Sequence, residues 1–192
     1  MKMNTKMNRS ASSALMAGVL LLGVVLACSS GYETEKANKL VEQDGNAAIE
    51  DAKKYLTDAE EEKNRMLQTD ISDASKLAEA RTIANEVIRA YNQGEDKLKE
   101  AVAKFEEASK LKISDKYKEY LALRIKEKNK RVELVEALKD IPQALIDSQS
   151  RSSFTSRANA ATQKAERLMK EANDLEAQAV QLEKDNPDAF KK

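Results

Sequence analysis

The chain has 192 residues, of which 41% are hydrophobic and 34% charged, and its 33 basic residues balance its 33 acidic ones. It contains no His and no Trp, which excludes Ser-His and Cys-His catalytic triads and histidine-ligated metal centres. Gly and Pro are scarce while Ala, Glu, Lys and Leu abound, a composition typical of long helices. We therefore expect an all-α, non-enzymatic protein, with no catalytic residues, no cofactor and no metal.

The first 27 residues have the pattern of a secretory leader. Lys2, Lys6 and Arg9 form a positively charged start, and an apolar run over residues 15–27 follows. This run is too short to cross a membrane as a helix, which needs about 20 apolar residues. We predict a signal peptide over residues 1–27.

The segment Val25-Leu26-Ala27-Cys28 resembles the lipobox of bacterial lipoproteins, although Leu26 differs from the residue usual at its position. The resemblance implies that signal peptidase II cuts between Ala27 and Cys28 and that Cys28 carries acyl chains such as palmitate. Two or more acyl chains anchor a protein stably in a membrane. Because Ser29 follows where Asp would retain the protein in the inner membrane, the resemblance favours the outer membrane, facing the periplasm. The cell surface is the alternative.

Loss of the leader would leave Cys28 at the N-terminus, followed by a short linker that we place at residues 28–34. It would also remove three basic residues and leave a slight excess of acids, so the chain has no global attraction for nucleic acid or anionic lipid. A free thiol or a covalent dimer is the alternative role for the lone Cys. We expect a protein partner or self-association, and no nucleic acid.

The spacing of apolar residues predicts one elongated helical domain over residues 35–185, with a tail at 186–192. Unbroken heptad seams run from Leu77 to Ala108 and from Phe154 to Leu182, and looser helical patterns cover Glu33–Leu67 and Asp115–Asp147. Heptads sustained over this length indicate a coiled coil or a helix bundle. Matched lengths and short connections favour about four long antiparallel helices.

Breaks between the helices are predicted at Gln68–Ser72, Lys112–Ser114 and Ser148–Ser156. Candidate N-caps are Asp70, Ser72 and Ser114. Pro142 should lie in a first turn or at a kink, and Asn186-Pro187 should end the last helix.

Two glycines are followed by apolar residues at the same offsets, which suggests a weak internal repeat: Gly45, Ile49, Ala52, Leu56 and Ala59, against Gly94, Leu98, Ala101, Phe105 and Ala108. The stretch from Gly94 to Leu111 resembles the second helix of a tetratricopeptide repeat. That resemblance implies a turn at Gly94 and short helical hairpins. The alternative, which we favour, is one continuous helix with Gly94 at a point of close packing. Asp44-Gly45-Asn46 lacks the ligands of a calcium loop and predicts a turn or a helix irregularity.

One run of basic residues is concentrated enough to be a candidate contact site: Arg124, Lys126, Lys128, Lys130 and Arg131. Its simplest interpretation is an exposed helix face whose Lys stems cover apolar surface. The functional interpretation is a contact for an anionic polymer, lipid headgroups or an acidic partner, with Tyr117 and Tyr120 one turn away for stacking.

The sequence thus predicts a lipid-anchored helical protein of the bacterial envelope that acts as a scaffold or protein-interaction module. One alternative is a tetratricopeptide-like adaptor for an envelope assembly or transport system. Another is a binding module for a lipid or small apolar ligand held in an Ala-lined bundle core.

Overall fold

The computed structural model describes residues 31–69, 74–148 and 150–191. Four long helices fill this part of the chain, and it contains no β-strand. The predicted signal peptide and lipidation site, with Ala27 and Cys28, lie outside the described residues, as do Asp70 and Ser72. The first helix, α1, covers residues 31–68 and comprises a regular start, the π-helical stretch Lys39–Gly45 and the regular segment Asn46–Gln68.

The three following helices are α2 (Ala74–Ser109), α3 (Asp115–Asp147) and α4 (Arg151–Asp185), and the short 3₁₀ helix Pro187–Phe190 ends the chain. Each long helix packs against the next one in sequence, so α3 lies between α2 and α4. At 33 to 36 residues, α2, α3 and α4 are each about 50 Å long. The prediction of an all-α bundle of four long helices is confirmed.

The first heptad seam forms the side of α2 that is buried. Leu77 is half-buried against the core, and the other nine seam residues from Ala80 to Ala108 are buried. Tyr91 and Phe105 are its largest members and are fully enclosed. Removing one large apolar side chain of this kind from water stabilises a fold by about 1.5–3 kcal/mol, so this seam is a main source of stability.

Gly94 lies inside the uninterrupted helix α2, so the continuous-helix prediction is confirmed and the tetratricopeptide-like hairpin is wrong. The glycine serves close packing. A Cβ at Gly94 would lie 2.6 Å from Cδ2 of Leu56 on α1, and a Cβ at Gly45 would lie 2.5 Å from Cε1 of Phe105 on α2. Gly45 ends the π-helical stretch, which confirms the helix irregularity predicted at Asp44-Gly45-Asn46.

The connections follow local capping chemistry. The Ser114 hydroxyl accepts a hydrogen bond of 3.1 Å from the backbone N–H of Tyr117, which confirms Ser114 as the N-cap of α3. Ser150 caps α4 in the same way, so the Ser-rich break is shorter than predicted and Ser153 and Ser156 are helical. Pro142 is buried inside α3 and not in a first turn.

Two predicted boundaries need correction. Residues 31–34, assigned to the linker, already belong to α1. The last long helix ends before Asn186-Pro187 as predicted, but the tail that follows is partly folded, since Pro187–Phe190 forms a 3₁₀ helix.

Candidate functional site

The predicted basic cluster occupies the middle of α3, between α2 and α4. Because both sides of α3 are covered, positions that resemble a solvent-facing surface in the sequence lie inside the bundle. Lys128 is the clearest case, with a side chain only 4% exposed. It lies one heptad after Leu121 and one heptad before Val135, both of which are buried, so Lys128 occupies a core position.

The positive charge of Lys128 is balanced by Glu127, whose side chain is fully buried. Nζ of Lys128 lies 2.9 Å from Oε2 of Glu127, and Arg131 donates to Oε1 of the same carboxylate from the next turn. Burial lowers the pKa of Lys128, and the hydrogen bond to Glu127 only partly offsets that effect. Removing one member of such a pair leaves a buried charge without compensation, which costs about 3–5 kcal/mol.

Three other basic side chains of the cluster connect α3 to α4. Nη2 of Arg131 donates to Oε2 of Glu176 over 2.9 Å, and Nη1 of Arg124 lies 3.6 Å from Oε1 of the same carboxylate. Lys130 lies 3.3 Å from Glu171. Charges that share carboxylates in a network contribute more than isolated surface pairs, so this network adds to the apolar contacts between the two helices.

The exposed-face interpretation of the cluster is therefore wrong for Lys128 and holds fully for Lys126, which is exposed. Lys126 lines a shallow groove of about 530 Å³ between α3 and α4, together with Leu123 and Leu182. Contact with an anionic or acidic partner through the five residues stays a prediction. Four of them already contact carboxylates of this chain: Arg124, Lys128, Lys130 and Arg131.

Sequence reasoning missed a second buried charge, Glu95 on α2. Lys139 of α3 donates to its Oε2, and Lys99 donates to its Oε1 over 2.5 Å. Burial opposes ionisation of Glu95, yet the hydrogen bonds from Lys139 and Lys99 together lower its pKa. The one signal in the sequence was that Glu95 directly follows Gly94, which is a seam residue. The helix that carries both residues is covered on two sides by neighbouring helices.

The N-terminal end of the bundle consists of residues 31–38, the α2–α3 connection at 110–114 and residues 186–191. Nδ2 of Asn38 donates to the carbonyl of Phe190 over 3.2 Å, and the Tyr117 hydroxyl donates to Oδ1 of Asn38 over 2.7 Å. The Phe190 ring packs against Tyr117 and Tyr120, with centroids 4.9 and 5.2 Å apart. These contacts bring α1, α3 and the chain's C-terminal segment together.

The two tyrosines predicted to lend stacking beside the basic cluster are thus part of an internal aromatic group. Tyr117 is buried, and Tyr120 is half-buried under Phe190. Burial raises the pKa of each hydroxyl above its ordinary value.

Within the described ranges, no helix is long and apolar enough to span a membrane, and no group of three or more carboxylate or thiol side chains is placed to hold a metal ion. No family model matches the sequence, and no curated protein or solved structure matches it either.

Proposed function

We propose that the protein is a lipid-anchored, non-enzymatic helical module of the bacterial envelope that presents a rigid interaction surface next to a membrane. The observation that carries the proposal is the leader: a basic start, a short apolar run, and Val25-Leu26-Ala27 directly before the chain's one Cys. Acylation of Cys28 would give a stable anchor without a transmembrane helix. By the same resemblance, the outer membrane is the favoured location.

The bundle's construction supports a scaffolding role. Its helices are about 50 Å long and each packs against the next, while the carboxylates of Glu95 and Glu176 link α2 to α3 and α3 to α4. Charged groups such as Glu127 and Lys128 are neutralised inside the fold and are not directed into a cleft. Such a body would offer its outer faces to a partner.

The proposed anchor would lie very close to the folded domain. Only Ser29 and Ser30 separate Cys28 from Gly31, where the described helix α1 begins. An extended chain covers at most about 3.6 Å per residue, so Cys28 and Gly31 cannot be farther apart than about 11 Å. The N-terminal end of the bundle would therefore be held at the membrane, with the opposite end about 50 Å away.

Metabolic labelling with a fatty-acid analogue tests the anchor. We expect the unaltered chain and a Ser29→Ala control to be labelled and shortened by removal of the leader. Cys28→Ala should carry no label and should retain its leader. Equal labelling of Cys28→Ala, or no labelling of the unaltered chain, would contradict the proposal.

A further inference from the structure

The N-terminal end of the bundle carries a localised positive surface. The α2–α3 connection and the first turn of α3 hold four lysines and one acid between residues 110 and 118. Positive charge is therefore concentrated in this short segment although the whole chain is close to neutral.

The fold directs these lysines outward. Leu111 and Ile113 turn inward and pack in the core, with Ile113 buried and its N–H bonded to the Leu111 carbonyl over 2.9 Å. Lys110 and Lys112, which alternate with them, are exposed. The inward Leu and Ile thus fix the outward lysines at the extreme end of the bundle.

Most of the lysines of this positive surface form no ion pair within the fold. Lys116 forms an ion pair with Glu119, but Lys110, Lys112 and Lys118 contact no carboxylate in the described part of the chain. Lys116 and Lys118 also lie in the first turn of α3, where the helix dipole disfavours cations. Helix stability alone does not account for lysines at these positions.

An exposed aromatic side chain lies at the same end. Tyr32, in the first turn of the described part of α1, is 67% exposed and is the most exposed large hydrophobic residue of the described chain. Tyrosine is enriched where a protein meets the headgroup layer of a membrane, because its ring is apolar and its hydroxyl is polar. Tyr32 is only four residues after the proposed anchor.

We infer that the surface formed by Tyr32, Lys110, Lys112 and Lys118 docks on the anionic headgroups of the membrane that holds the anchor. This inference rests on the proposed acylation of Cys28, which would keep Gly31 within about 11 Å of the anchored residue and so hold this end of the bundle beside the bilayer. Electrostatic attraction is screened over about 8–10 Å, so lysines at this end would feel the phosphates while those at the far end would not. Along residues 31–45 of α1 four acids outnumber the two lysines Lys36 and Lys39, so the excess of positive charge lies on the α2–α3 side. The docked bundle should therefore tilt so that the α2–α3 connection approaches the lipid.

Energy transfer from the protein to labelled headgroups measures this approach. Cys28 is the only natural Cys, and its acylation leaves an introduced Cys free for a donor dye. Ser109→Cys places the donor beside the lysines without a change of charge, and Leu67→Cys places it on an exposed site at the opposite end. The acylated full chain is purified from membranes and reconstituted into phosphatidylcholine vesicles with or without phosphatidylglycerol.

We expect the donor at position 109 to lie closer to the headgroups in vesicles that contain phosphatidylglycerol, and the donor at position 67 to remain distant in both. A Lys near an anionic surface contributes about a fivefold preference, so Lys110→Gln/Lys112→Gln/Lys118→Gln should shift the docked-to-undocked ratio by about 100-fold. High salt should have the same effect. The matched control Arg151→Gln/Lys164→Gln/Lys170→Gln removes as many exposed charges from α4 and should behave as the unaltered chain.

The other outcomes distinguish a failure of the docking surface from a failure of the anchor. A donor at position 109 that is equally distant in both vesicles, or equal effects of the two triple variants, would overturn the docking surface while leaving the anchor intact. A purified chain without acyl groups, which mass spectrometry detects directly, would overturn the anchor and the docking surface together.

Discussion

The ring of Phe105 lies directly against Gly45, so close that a methyl group at Gly45 would come within 2.5 Å of the ring carbon Cε1. The equivalent contact of the internal repeat joins Leu56 to Gly94, where the gap would be 2.6 Å. In each contact the glycine of one repeat receives the large side chain of the other. The two copies of the repeat therefore pack as an antiparallel helix pair, in which the large side chain of each copy fills the space beside the glycine of the other.

Gly45→Ala should destabilise the protein by about 1–3 kcal/mol, because the added methyl overpacks a site where the Phe105 ring is fully enclosed. Urea denaturation followed by circular dichroism measures the change. Phe105→Leu removes the ring that meets the added methyl. Gly45→Ala should therefore cost less stability in a chain that carries Phe105→Leu than in the unaltered chain. Gly31→Ala, where no atom lies within 4 Å of the added methyl, is the control. Simple additivity of the two substitutions would show that they do not share a contact.

Gly94→Ala should cost less than Gly45→Ala. Leu56 is only half-buried and can rotate away from the methyl, whereas Phe105 cannot. Replacing Gly by Ala inside a helix also contributes about 1 kcal/mol of stability, which offsets part of the clash. The same denaturation experiment ranks the two variants, and a larger loss for Gly94→Ala would contradict this account of the contact.

The heptad spacing predicted the helices, the seam of α2 and the continuity of α2 through Gly94, because the apolar residues of α2 form an unbroken stripe although this helix lies between α1 and α3. It did not predict the environment of α3. The buried positions of α3 include the charged residues Glu127 and Lys128, so the spacing of its apolar residues does not trace its whole buried surface. Lys128 shares its heptad position with Leu121 and Val135, but its charge suggested solvent. Glu127, which neutralises Lys128, is the adjacent residue. Ion pairs on a helix are recognised in a sequence by a spacing of three or four residues, so this pair could not be recognised.

Glu127→Ala should destabilise the protein by about 3–5 kcal/mol, because Lys128 would be left buried without its counter-ion. Replacement of both members, as in Glu127→Leu/Lys128→Met, should restore much of that stability, since apolar side chains of similar volume can occupy the same space. Lys126→Met, at an exposed neighbouring position, should change stability by no more than about 0.5 kcal/mol. Thermal denaturation compares the four proteins. A double variant less stable than Glu127→Ala would contradict the buried-pair interpretation.

Acidification should weaken the contact between α2 and α3 through Glu95. Its pKa is lower in the folded state than in the unfolded chain, because Lys139 and Lys99 bind the ionised carboxylate despite its burial. The resulting stability is present above the unfolded pKa of about 4.3 and is lost as the pH falls through the lower folded value. Glu95→Gln and Lys139→Met should each flatten the dependence of unfolding free energy on pH below about 4.3. An unchanged slope in Glu95→Gln would show that other carboxylates cause the acid sensitivity.

The C-terminal 3₁₀ helix should stabilise the N-terminal end of the bundle through Phe190. Phe190→Ala would remove the ring that packs against Tyr117 and Tyr120 and would expose the edge of that aromatic group. Aromatic pairs contribute about 0.5–1.5 kcal/mol each beyond the area that they bury, so we expect a loss of about 1–3 kcal/mol. The near-ultraviolet circular dichroism of the tyrosines should fall as well, because their surroundings become less ordered. Tyr32→Ala, which removes an exposed ring, is the control for both measurements. If Phe190→Ala leaves stability and the tyrosine signal unchanged, the segment 186–191 does not hold this end of the bundle together.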